Sequence, residues 1–102
     1  MKLYLISDNT ETYEGMRLAG IDGMVTDNPR VIVKALTELA SRGDYGIILI
    51  TEKAYSTAAE EVDRFMATHA RPLITRIPDR HGATDRQTAI GDFIRNGIGL
   101  KL

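Results

Sequence analysis

The chain has 102 residues and no cysteine, and its 13 Lys plus Arg stand against 14 Asp plus Glu, for a net charge of −1. That length fits one domain better than two, and a folded monomer of this size removes about 65% of its unfolded-chain surface from water. The missing cysteines exclude disulfides and thiolate chemistry, and the charge balance argues against a nucleic-acid binder driven by a basic surface.

In chain order, the first element is a continuous apolar run, Leu3, Tyr4, Leu5 and Ile6. Unbroken apolarity over four residues marks a strand covered on both faces, as in a parallel sheet. The run is too short for a signal peptide, and Asp8 follows it closely. A helix is expected near 10–19, with Asp8 and Glu11 marking its start, although its stripe is irregular. Gly23, Met24 and Val25 form a weaker apolar run that suits an edge strand.

Residues 28–42 carry Ile32, Ala35, Leu36, Leu39 and Ala40, one stripe of a helix. Asn28 can cap it, Pro29 suits its first position, and Gly43 can end it in a left-handed turn. Ile47, Ile48, Leu49 and Ile50 form the third strand, again continuous and so doubly covered. Over 57–69 the stripe is Ala58, Ala59, Val62, Phe65 and Met66, opened by Thr57 and Glu60 at capping-box spacing. Leu73 through Ile77 alternates near its end and suits the other edge. Residues 84–96 repeat the capping spacing with Thr84 and Gln87, then carry Ile90, Phe93 and Ile94.

The order β-α-β-α-β-α-β-α implies a parallel sheet with right-handed crossovers and helices on both faces. The expected fold is a four-stranded α/β sheet of order 2-1-3-4, flavodoxin-like or receiver-like, with a C-terminal helix and a short tail. Residues 1–102 are read as one domain, with a sheet core over 1–78 and a loop, helix and tail over 79–102. No apolar stretch approaches the ~20 residues of a membrane span, so any membrane link is expected to run through a partner.

In such a sheet, ligands bind outside the carboxyl ends of the strands. Those ends offer Ser7, Asp8 and Asn9; Thr26 and Asp27; Thr51, Glu52 and Lys53; and Pro78, Asp79, Arg80 and His81. Neither a G-x-G-x-x-G after the first strand nor a G-x-x-x-x-G-K-[ST] occurs, so no phosphate-binding device is readable. Gly97 and Gly99 follow a helix and read as a bend in the tail. A phosphorylated receiver shares the element order but needs an acidic pair after the first strand and an Asp after the third, to hold a hard cation. Here Asp8 stands alone, and the third strand ends in Thr51 and Glu52.

His69 and His81 are twelve residues apart with no cysteine, which makes no metal site. His69 reads as a helix-end histidine and His81 as an exposed loop residue, while Arg80 and Arg86 could meet an anion or a partner. Ser7, Thr51 and Ser56 lack a nucleophile elbow or a paired base. The aromatics, four Tyr and two Phe, do not alternate with basic residues, so base stacking on nucleic acid is not expected. Neither a cofactor nor catalysis is expected.

Four segments resemble the F subunit of the V-type and A-type rotary ATPases. Glu14-Gly15-Met16-Arg17-Leu18-Ala19-Gly20-Ile21 looks like the segment after that family's first strand. Gly46-Ile47-Ile48-Leu49-Ile50-Thr51-Glu52 is similar to its third strand, and Pro72-Leu73-Ile74 through Ile77-Pro78 to its fourth. The end, Ile94 through Leu102, resembles its last helix and apolar terminus. The resemblance implies a non-catalytic component of the central rotor stalk. Such a component binds the D subunit, a long coiled coil, and contacts other subunits of the complex. It sits in the cytoplasm, peripheral to the membrane.

Physical reading of the end agrees with a partner role. Ile98, Leu100 and Leu102 are too apolar for a solvated terminus, and termini are disordered unless docked. They are expected to contact a partner, with Arg95 and Lys101 at the rim. Phe93 and Ile94 suit either that contact or the domain's own sheet. Arg17 suits either an exposed guanidinium over an apolar stem or an ion pair with a partner acid, Asp8 or Glu52. The alternative for the whole chain is a free-standing receiver-like signalling or small-ligand-binding domain.

Overall fold

A computed structural model describes residues 2–78. Eight elements follow one another: β1 Lys2–Ser7, α1 Thr10–Leu18, β2 Asp22–Val25, α2 Pro29–Arg42, β3 Tyr45–Thr51, α3 Glu52–Thr57, α4 Ala59–Thr68 and β4 Leu73–Ile77. All pairings are parallel, and the strand order is β2-β1-β3-β4. The expected sheet order is therefore the observed one. The expected helix over 84–96 and the tail lie outside the described residues.

The two inner strands are continuous apolar runs because each faces a core on both sides. On one face Ile6, Ile48 and Ile50 pack against Ile32, Leu36 and Leu39 of α2 and against Val62 and Phe65 of α4. On the other, Leu5, Ile47, Leu49 and Ile77 pack with Met16 of α1 and with Ile21. Neighbours in sequence such as Ile48 and Leu49 thus belong to different cores, which follows from the two-residue period of a strand.

Local chemistry sets most boundaries. Asn28 caps α2, its side chain accepting from the Arg30 N–H, with Pro29 at the first helical position. Gly43 ends the helix at φ 77°, as expected.

Two starts differ from the sequence reading. Asn9, not Asp8, caps α1: its Oδ1 accepts from the Thr12 N–H at 2.8 Å. Asp8 is unavailable because its carboxylate takes the Thr51 hydroxyl. The second difference is an extra helix, α3, which Thr51 caps by accepting from the Ala54 N–H. Thr57 therefore ends α3, and its hydroxyl donates to the Lys53 carbonyl instead of opening a capping box. The next helix begins at Ala59 after Ala58, which makes no side-chain cap.

The segment from Met16 to Ile21 is a helix-stopping device. The Ile21 N–H bonds the Met16 carbonyl at 2.9 Å and the Gly20 N–H bonds the Arg17 carbonyl at 2.9 Å. Gly20 has φ 83°, and Met16 and Ile21 share a core. Together these make a Schellman motif with its hydrophobic contact. Much of the segment that resembles the rotary ATPase family is thus explained by the need to end α1 and turn into β2.

Candidate functional site

The carboxyl ends of the strands are the first place where this fold would hold a ligand. Ser7 is buried; its hydroxyl donates to the Asn9 carbonyl at 2.7 Å and accepts the Asn9 N–H at 3.0 Å. The Thr51 hydroxyl donates to Asp8 Oδ1 at 2.7 Å and accepts the Asp8 N–H at 3.2 Å. Asn9 Nδ2 also donates to Asp8 Oδ1, at 3.1 Å. These groups close on one another across β1 and β3. Among the described residues, no group of three or more His, Asp or Glu could hold a metal ion. His69 ends α4, its ring stacked on Phe65 at 4.1 Å and its Nδ1 within 2.9 Å of the Thr68 hydroxyl.

The β4 side carries a polar network. Arg76 Nε lies 3.4 Å from Glu52 Oε1, and the guanidinium sits 4.5 Å above the Tyr55 ring. The Tyr55 hydroxyl donates to Asp63 at 2.8 Å, and that hydrogen bond is the main reason its pKa is raised. A cleft of about 570 Å³ lies between this network, Met66 and Ile74. Glu52 is thus already paired within the domain.

At the amino ends of the strands, Lys2 Nζ and Arg42 Nε lie 3.3 and 3.7 Å from the Asp44 carboxylate. Both cations also face the Tyr45 ring. Tyr4 packs edge-on against Tyr45 at 5.6 Å, and burial, then the Tyr45 neighbour, raises its pKa.

Arg17 does not reach the carboxyl edge. A nine-residue helix rises about 13 Å, and α1 runs back between two parallel strands, so its last turn lies at the amino end of β2. There the Arg17 guanidinium pairs with the exposed Asp22 carboxylate, not with Asp8 or Glu52. Next to it Leu18 is 88% exposed. Sequence reasoning did not single out Leu18: its exposure follows from the burial of Met16, since a residue two positions on cannot share that helix face, and only the structure shows that Met16 faces inward. Phe93, Ile94, Arg95, Ile98, Leu100 and Leu102 lie outside the described residues.

What folding leaves unexplained therefore sits on the outside. Among the described residues, the exposed large apolar ones are Leu18, Val25, Val31, Met66 and Leu73; the first three flank β2 and the last two flank β4. Among the described residues no helix is long and apolar enough to cross a membrane.

The class so defined is a small doubly wound α/β domain in which the carboxyl ends of the two inner strands are tied off by internal hydrogen bonds and the flanks of the sheet carry exposed apolar groups. The chain belongs to the family of the ATP synthase (F/14-kDa) subunit, whose profile matches residues 3–96. It is 32% identical to the F subunit of the A-type ATP synthase of Methanocaldococcus jannaschii over 103 residues, covering 100% of this chain and 99% of that one. The corresponding F subunit of Thermococcus kodakarensis is 34% identical over 107 residues, with coverage of 100% and 98%. That of Pyrococcus furiosus is 33% identical over 108 residues, again covering 100% and 98%.

Proposed function

We propose that this chain is a subunit of an A-type ATP synthase or related V-type ATPase, with no catalytic site of its own, and that it works by binding other subunits. The observation that carries the reading is the family match across residues 3–96. The closure of Asp8 upon Thr51 supports it, because the groups a small ligand would need are engaged with each other. The free-standing receiver-like alternative needs Asp8 for a cation.

The partner in this reading is the D subunit, the coiled coil of the central stalk. The chain rides on the rotor, on the cytoplasmic side and peripheral to the membrane, and couples ATP hydrolysis or synthesis to ion transport. The described sheet unit is the docking body, and residues 79–102 supply a second contact. The residues assigned to binding are Arg17 on α1 and Phe93, Ile94, Arg95, Ile98, Leu100 and Leu102 near the end of the chain. Arg17 keeps Asp22 as its partner in the free chain, and a partner acid would compete for an exposed guanidinium at little cost.

Mixing the purified chain with the coiled-coil subunit of the same complex tests this directly. Size exclusion with light scattering is expected to give a one-to-one complex. A chain that stays monomeric beside its cognate partner would refute the assignment. Saturable micromolar binding of Mg²⁺ or inorganic phosphate near Asp8 would favour the receiver-like alternative.

A further inference from the structure

No further inference is drawn: the strongest candidate, the open cleft between α3, α4 and β4 with the exposed Met66 on its wall, has its charged groups Glu52, Asp63 and Arg76 already engaged with one another or with Tyr55, and nothing in the structure shows what covers it.

Discussion

Thr51 Oγ1 donates to Asp8 Oδ1 at 2.7 Å while accepting the Asp8 N–H at 3.2 Å, so two residues 43 apart in sequence close on each other across the ends of β1 and β3. The same oxygen accepts the Ala54 N–H and so starts α3. One hydroxyl therefore joins the inner strands, caps a helix and occupies the acid that a cation site would require.

Thr51→Val should remove all three contacts and leave Asp8 without its hydroxyl donor. Losing a cap and a hydrogen bond to a carboxylate costs about 1–3 kcal/mol. In a domain of this size each kcal/mol lowers the melting temperature by about 4–8 °C. Thermal and urea unfolding of Thr51→Val and Thr51→Ser will check it. Serine keeps the hydroxyl and should recover most of the loss, whereas equal losses would show that the methyl group matters more.

Gly23 is required by close approach. A Cβ there would lie 2.7 Å from the Leu5 carbonyl oxygen and 2.8 Å from Leu5 Cβ, on the neighbouring strand. The carbonyl belongs to the sheet and cannot swing away, so Gly23→Ala should cost about 1–3 kcal/mol as overpacking does. A urea midpoint equal to that of the wild type would contradict this.

Arg17 and Leu18 should behave in the opposite manner. Both are exposed, and a surface ion pair contributes at most about 1 kcal/mol. Arg17→Glu and Leu18→Ser should therefore leave the unfolding free energy within about 1 kcal/mol. Binding of the coiled-coil subunit should weaken by about tenfold, or 1.4 kcal/mol. Calorimetry and unfolding on the same preparations separate the two effects.

Deletion of residues 97–102 should weaken the same complex more than it lowers the melting temperature. Equal loss of both would place Ile98, Leu100 and Leu102 in the domain's own core.

The Asp44 carboxyl titrates below its ordinary value. Desolvation opposes that shift, but the hydrogen bond from Lys2 and the charges of Arg42 and Lys2 outweigh it. A depressed folded pKa gives stability that is present above the unfolded value of about 4 and is lost as pH falls through the folded one. Asp44→Asn should therefore be less stable than the wild type at neutral pH. The gap should close as pH drops below about 4. Because the group is exposed, 0.5 M salt should shrink the gap at neutral pH. Melting curves across the acid range will test both signs.

The unbroken apolar runs of β1 and β3, the Asn28 and Pro29 start of α2 and its Gly43 stop were legible because each is local. Hydrophobic period and cap chemistry act within a few residues. The break at Ala58 was not legible, since Thr57 and Glu60 have capping-box spacing. Only the prior use of Thr51 as the cap of α3 commits Thr57 to the end of that helix. Leu18 shows the same limit from the other side. Its exposure depends on where the Met16–Ile21 turn aims the helix, and the apolar character of the residue says nothing about that.

Composition and periodicity by themselves determined a cysteine-free α/β domain with a parallel sheet of order 2-1-3-4. They did so because strand burial and helix stripes are written in neighbouring residues. Tertiary structure alone decided that Asp8 answers to Thr51 and that Arg17 lies at the amino end of β2. Those are distances between groups far apart in the chain, fixed by how strands register and helices run back, and no local pattern carries them.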